Sequence, residues 1–148
     1  MNLSKNDILK INDIVYDAGK AILDIYDTSF NIETKSDNSP LTQADKNAHL
    51  VIDSGLKSLF PNIPILSEEG KNIPYSERKK WDCFWLVDPL DGTKEFIKRN
   101  GEFTVNVALI KNSYPIFGSV YAPYKKELFW ALEGLGAWKS IDKTRSIW

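Results

Sequence analysis

The chain has 148 residues, of which 43% are hydrophobic and 26% are charged, and its formal net charge is −1. This composition predicts one folded domain, and the near-neutral charge excludes a basic surface for duplex nucleic acid. No apolar run is long enough to span a membrane, and the lone Cys83 excludes an internal disulfide and suits a reducing compartment. We therefore expect a cytoplasmic protein, with a peripheral association at the inner face of the membrane left open.

Two helices are predicted in the N-terminal part of the chain. The segment Ser4–Tyr26 repeats apolar residues at steps of three and four, which is typical of a helix with one buried face. Ser4 and Asp7 fit a capping box at its start. The polar segment 31–40 is expected to be a loop, and a second helix is predicted from about Thr42 to Phe60.

The rest of the chain predicts a sheet. A short strand precedes Ser67–Gly70, the polar segment 71–80 is expected to be a loop, and a short helix is expected to begin near Thr93. Turns of hairpin length separate the later β-rich segments. The strands are predicted over Ile63–Leu66, Phe84–Val87, Phe103–Ile110, Pro115–Tyr121, Glu127–Leu132 and Gly134–Lys139, and no element is assigned after them. This order predicts an α+β fold in which two helices pack on a largely antiparallel sheet.

Three carboxylates follow the first two predicted strands. Asp88 and Asp91 come directly after a buried strand, and Glu68 follows the short strand before it. Three acids brought together repel one another, and a divalent cation such as Mg²⁺ stabilises such a cluster. The competing interpretation is a simple turn, because Asp, Pro and Gly are the usual turn residues.

Gly92 and Thr93 directly follow these acids, at the predicted start of a helix. Backbone N–H groups at such a position bind phosphate oxygens. Metal ions held about 3.5–4 Å apart activate water and neutralise a phosphoryl group, so the pattern favours phosphate monoester hydrolysis. The nearby cations Lys94, Lys98 and Arg99 are better explained as a solvated face paired with glutamates.

Asp45 and the only histidine, His49, lie near the start of the second predicted helix. Thr42-Gln-Ala-Asp45 fits a capping box, so the pattern alone favours capping over catalysis for Asp45. His49 lacks a second nitrogen or thiol ligand nearby and is better explained as a structural residue than as a metal ligand.

Three segments resemble the inositol monophosphatase superfamily of metal-dependent, lithium-sensitive phosphatases: Leu41–Asp45, Leu66–Gly70 and Trp85–Thr93. The continuation Lys94–Ile110 is similar to the bacterial 3′(2′),5′-bisphosphate nucleotidase branch, which is associated with sulfate assimilation. The resemblance runs from the first helix to about Trp138. It implies the N-terminal half of the inositol monophosphatase-like sugar-phosphatase fold.

The resemblance implies two to three Mg²⁺ ions. Glu68, Asp88 and the Leu90 carbonyl would hold the first ion, and Asp88 and Asp91 would hold the second. Glu68 would also touch a third, looser ion. An aspartate in a second half of the protein would complete the second site.

The resemblance also implies a catalytic pair and a substrate. Thr93 and Asp45 would orient and activate the attacking water, so Asp45 would do more than cap a helix. The substrate would be a small nucleotide, adenosine 3′,5′-bisphosphate, cleaved to AMP and inorganic phosphate. The phosphate site would be lined by Lys35, Glu68, Leu90, Asp91, Gly92 and Thr93.

The sequence departs from the family at its C-terminal end. Family members continue into a second α/β half with a Trp-Asp-x-Ala-Ala-like segment, which is absent here, and Asp142 in the polar tail receives no role. We expect residues 1–148 to be the N-terminal metal-binding domain of a truncated chain that lacks the C-terminal domain, with sheet surface exposed to self-association. Two alternatives are an inositol- or sugar-phosphate phosphatase of the same superfamily and an inactive fragment that binds metal or phosphate.

Overall fold

The computed structural model describes residues 2–28 and 39–147, with side chains described up to 143. Within these residues it contains four helices and seven strands. The helices are α1 (Lys5–Tyr26), α2 (Pro40–Leu59), α3 (Tyr75–Arg78) and α4 (Thr93–Lys98). The strands are β1 (Ile65–Ser67), β2 (Cys83–Asp91), β3 (Thr104–Lys111), β4 (Tyr114–Ala122), β5 (Glu127–Leu132), β6 (Gly136–Ile141) and β7 (Thr144–Ile147).

The strands form one sheet in chain order, from β1 at one edge to β7 at the other. Strand β1 pairs in parallel with β2, and every later pair is antiparallel. Helices α1 and α2 pack against each other, α1 contacts β3 and β4, and α2 contacts β2. The predicted α+β fold, with two long helices on a largely antiparallel sheet, is confirmed.

The core lies between the two long helices and one face of the sheet. The apolar face of α1 is fully buried at Ile11, Val15 and Ile22, as its spacing predicts. Across from it, alternate residues of the strands, such as Leu109 and Phe117, are buried as well. This packing fixes the position of β2, and with it the strand end where the predicted acids lie.

The start of α2 differs from the prediction. The helix begins at Pro40, and its N-cap is Ser39, whose hydroxyl accepts a hydrogen bond from the Thr42 N–H at 3.1 Å. Proline suits the first helical position because its missing N–H would have had no helical partner there. Thr42 and Asp45 therefore lie inside the helix, and the predicted capping box at these residues is wrong.

Two short elements occur where none was predicted. The segment 71–80, expected to be a loop, contains the single-turn helix α3. The tail after Lys139 continues β6 and returns as β7 through a tight turn at Asp142 and Lys143, both with positive φ. Hairpin turns of this kind require positive φ at both central residues, and neither residue here is the usual glycine.

The face of the sheet opposite the helices, here called the open face, is apolar. Leu86 and Val120 are 44% and 42% exposed. A groove of about 600 Å³ crosses this face, lined by Leu66, Leu86, Ala108, Gly118 and Val120. An antiparallel sheet with one face in water normally presents polar residues there, so the open face has the character of a covered surface.

The helices of the described residues (2–28 and 39–147) include none that is both long and apolar enough to cross a lipid bilayer.

We expect Ser4→Ala to lower the free energy of unfolding by about 1 kcal/mol. Ser4 accepts a hydrogen bond from the Asp7 N–H at 3.1 Å, and Asp7 accepts one from the Ser4 N–H at 2.8 Å, so the change removes a complete capping box. Urea denaturation followed by tryptophan fluorescence measures the effect. Ser54→Ala, at an exposed position within α2, is the matched control and should be nearly neutral.

Candidate metal centre

A one-residue bulge at the end of β2 brings Asp88 and Asp91 to the same face of the sheet. Asp88 pairs with Asn106 and Asp91 pairs with Thr104, so three steps along β2 face two steps along β3. Residues three apart on a regular strand point to opposite faces, and an extra residue cancels that difference. Pro89, which lies between the two aspartates, is compatible with a bulge because proline has no N–H to donate to the neighbouring strand.

Glu68 reaches this strand end from β1. Its N–H donates to the Val87 carbonyl at 3.1 Å, directly beside Asp88. The Glu68 side chain lies within hydrogen-bonding reach of Asp88, and this proximity helps to raise the pKa of Asp88. The structure therefore brings these two predicted ligands into direct contact.

The pKa of Asp88 is raised to about 7. Burial is the largest cause, followed by the hydrogen bond with Glu68 and by the negative charges of Glu68, Asp91 and Asp45. Each of these effects disfavours the ionised form of Asp88. The other three predicted acids thus all act on Asp88, and a positive charge beside it would relieve this repulsion.

Asn106 belongs to the same site and was not among the predicted residues. Its side-chain N–H donates to Asp91 Oδ2 at 3.2 Å, and its position on β3 is opposite Asp88. The signal in the sequence was a polar residue between the apolar residues Val105 and Val107. Such a residue on an otherwise apolar strand marks the place where the outer face becomes polar.

Asp45 is 1% exposed and lies on the second turn of α2. Because Ser39 caps this helix, capping no longer explains why an acid is buried at this position. Helix α2 contacts both β2 and α4, the elements that carry Asp88 and Thr93. The predicted catalytic pair Asp45 and Thr93 therefore comes from neighbouring elements.

Gly92 makes the turn from β2 into α4. Its φ is +90°, and a Cβ at this position would lie 3.0 Å from the Glu102 carbonyl oxygen. Only glycine combines this backbone conformation with so close an approach. The turn leaves Leu90 buried in the core and places Thr93 first in α4, two residues after Asp91.

The donor set fits a hard cation such as Mg²⁺. Asp88 Oδ1 is buried and has no hydrogen-bond partner among the described residues, and the groups around it are carboxylates. Oxygen donors of this kind are the ligands that Mg²⁺ prefers. Within residues 2–28 and 39–147, however, no three acidic, histidine or cysteine side chains converge tightly enough to form a ready-made cage.

Three further residues from the sequence analysis, Lys35, Arg99 and Cys83, are not part of the cluster of acids described above. Lys35 is outside the described residues. Arg99 is exposed, and its guanidinium donates to the Tyr26 carbonyl at 2.8 Å and to the Thr28 carbonyl at 3.2 Å at the end of α1. Cys83 is a half-buried free thiol at the start of β2, as expected of a structural residue.

Residues 5–145 match the model of the inositol monophosphatase family, a longer match than the resemblance to about Trp138 noted in the sequence. Over 132 residues the chain is 52% identical to the 3′(2′),5′-bisphosphate nucleotidase CysQ of Shigella flexneri, covering 88% of this chain and 53% of that protein. The chain thus spans about half the length of the curated relatives it matches.

Solved structures show the same partial match. The crystal structure of CysQ from Bacteroides thetaiotaomicron is similar with a TM-score of 0.84 and 50% identity, over 93% of this chain and 49% of that chain. The structure of inositol monophosphatase from Anabaena (Nostoc) is similar with a TM-score of 0.69 and 27% identity, over 90% of this chain and 45% of that chain.

We expect Gly92→Ala to destabilise the fold more than Gly134→Ala does. Both glycines have positive φ, which costs a residue with a Cβ about 1–2 kcal/mol. A Cβ at Gly134 meets open space, whereas one at Gly92 meets the Glu102 carbonyl oxygen. The measurement is the free energy of unfolding of both variants in urea. Equal losses would show that the β2–α4 turn is not sterically constrained.

Proposed function

The chain belongs to the inositol monophosphatase family, and from this we propose that it is the N-terminal metal-binding half of a Mg²⁺-dependent 3′(2′),5′-bisphosphate nucleotidase. The substrate is adenosine 3′,5′-bisphosphate, and the products are AMP and inorganic phosphate. Water adds to phosphorus, the bond from phosphorus to the 3′-oxygen breaks, and the leaving oxygen receives a proton. The observation that carries the proposal is the bulge that turns Asp88 and Asp91 to one face beside Glu68.

Glu68, Asp88, Asp91 and the Leu90 carbonyl would hold two to three Mg²⁺ ions, with one further ligand from the second half of the protein. Bound there, the metal supplies Lewis-acid polarisation of the phosphoryl oxygens and neutralises their charge. The pKa of Asp88, raised by burial and by the neighbouring acids, and its buried Oδ1 without a hydrogen-bond partner among the described residues support this assignment, because a cation would offset both effects.

Protein groups then position the reactants. Asp45 and Thr93 orient the attacking water, with Asp45 accepting a proton from it. The N–H groups of Gly92 and Thr93, together with Lys35, contact the phosphate oxygens. The burial of Asp45 inside α2 supports this role, because a helix cap is no longer an explanation for it.

The nucleotide substrate is favoured over inositol phosphate by the degree of similarity. The chain is 50–52% identical to two CysQ proteins and 27% identical to an inositol monophosphatase of similar fold. We place the reaction in the cytoplasm, in sulfate assimilation, and expect inhibition by Li⁺. These three expectations follow from the resemblance to the nucleotidase branch and are part of the proposal.

We propose that the second half of the protein packs on the open face. The matched relatives are about twice as long as the region they share with this chain, so they contain a further segment of similar size. An apolar face that carries Leu86, Val120 and a groove of about 600 Å³ suits a covering layer of the same polypeptide. Self-association of the 148-residue chain is the competing occupant.

We expect Asp88→Asn to lower Mg²⁺-dependent phosphate release from adenosine 3′,5′-bisphosphate by at least about 100-fold, more than is usual for loss of an outer-shell group. The assay compares Mg²⁺, EDTA and Li⁺, with inositol phosphate as the rival substrate. Asp82→Asn, an exposed acid just before β2, is the matched control and should behave as wild type. Faster turnover of inositol phosphate, or unchanged activity in Asp88→Asn, would contradict the proposal.

We expect Leu86→Lys to prevent the open face from binding the second half. The wild-type chain, co-expressed with the second half of a matched nucleotidase, should co-purify with it in a one-to-one complex. Removing an apolar face from water lowers the free energy of the complex. Leu50→Lys, at an exposed position on α2, is the control and should leave the complex intact. A wild-type homodimer held through Leu86 would instead identify self-association as the occupant.

A further inference from the structure

Glu68 depends on a weakly held element. It directly follows β1, which has three residues and lies at the edge of the sheet, paired only with β2. The Trp85 N–H donates to the Pro64 carbonyl at 2.9 Å, and the Glu68 N–H donates to the Val87 carbonyl at 3.1 Å. A strand this short, bonded along one side, opens more readily than a central strand. Something besides the ladder must hold the Glu68 carboxylate at the strand end.

His49 on α2 contacts the end of β1. Its Nδ1 lies 2.9 Å from Ser67 Oγ, within hydrogen-bond distance, and it lies one helical turn after Asp45 on α2. Residues four apart share one face of a helix, so His49 and Asp45 project toward the same side. Ser67 is 8% exposed and directly precedes Glu68. This hydrogen bond thus joins the helix that carries Asp45 to the strand that directly precedes Glu68.

The same contact reaches the turn after Glu68. The Ser67 carbonyl accepts a hydrogen bond from the Gly70 N–H at 3.0 Å, which closes a tight turn around Glu68 and Glu69. Ser67 therefore bonds through its hydroxyl to α2 and through its carbonyl to the turn. Moving Ser67 would move the backbone on both sides of Glu68.

We infer that His49 is a positioning residue for Glu68: its Nδ1 bond to Ser67 clamps the end of β1 to α2 and so fixes the distance between Glu68 and Asp45. This inference deepens the proposed function and rests on it for the role of Glu68. The His49 ring needs neither to touch substrate nor to change its charge. What it supplies is one hydrogen bond in a fixed direction.

A pair of substitutions isolates that bond. Asparagine at position 49 places an amide atom near the position of Nδ1, whereas glutamine places its amide near the position of Nε2. His49→Asn should therefore keep the bond to Ser67, and His49→Gln should lose it, while the two variants carry the same charge. Asparagine is the poorer helix former, so a better result for His49→Asn cannot come from helix propensity.

The first measurement is amide hydrogen exchange in the 148-residue chain without added metal. We expect His49→Gln and Ser67→Ala to speed exchange at Glu68 and Gly70 about tenfold, with His49→Asn near wild type. Exchange in the β3–β4 hairpin should be the same in every variant, which separates a local opening from a general loss of stability. Unchanged exchange at Glu68 in His49→Gln, or equal acceleration in both His49 variants, would overturn the inference.

The second measurement is Mg²⁺ affinity by calorimetry. We expect His49→Gln to weaken binding about tenfold, as is usual when a group that orients a ligand is lost, and His49→Asn to stay within about threefold of wild type. Adding Ser67→Ala to His49→Gln should cause no further loss, because both changes break the same bond. A wild-type chain without Mg²⁺ affinity would overturn the proposed function, while the exchange experiment would still decide the role of His49.

Discussion

The site depends on the single extra residue in β2. Without it, Asp88 and Asp91 would lie on opposite faces of the sheet, one toward the helices and the other toward the open face. With it, both face the side where Glu68 arrives and where Asn106 holds Asp91. The helix core fixes β2 through the buried Trp85 and Val87, so the bulge is presented by a rigid strand.

Much of the fold could be predicted from the sequence because its signals are local. The spacing in α1 and the Ser4 capping box each depend on residues within a few positions, and both occur in the structure. The start of α2 shows the limit of such signals. Ser39 and Thr42 each fit an N-cap, and Pro40 decides between them because it suits the first helical position. Strand β7 was missed since its turn uses Asp142 and Lys143 in place of glycine.

The candidate site was predictable in its residues but not in its geometry. Acids after two adjacent strands indicated a shared strand end, and Glu68 and Asp88 meet there. The bulge could not be derived, because it shows only in the register between β2 and β3. Asn106 was missed for the same reason, since its partner Asp91 lies fifteen positions away. The tie from His49 to Ser67 likewise joins residues eighteen positions apart.

The groove on the open face has a consequence for the acids at its end. Glu68, Asp88 and Asn106 line the same groove as Leu86 and Val120, so any layer that covers the apolar part also removes water from around the carboxylates. Removing water lowers the effective dielectric constant, so repulsion among the acids and attraction to a cation both become stronger. Covering the face and binding a cation are therefore thermodynamically linked. In the proposed protein, a covering layer and a bound cation would each raise the affinity for the other by the same factor.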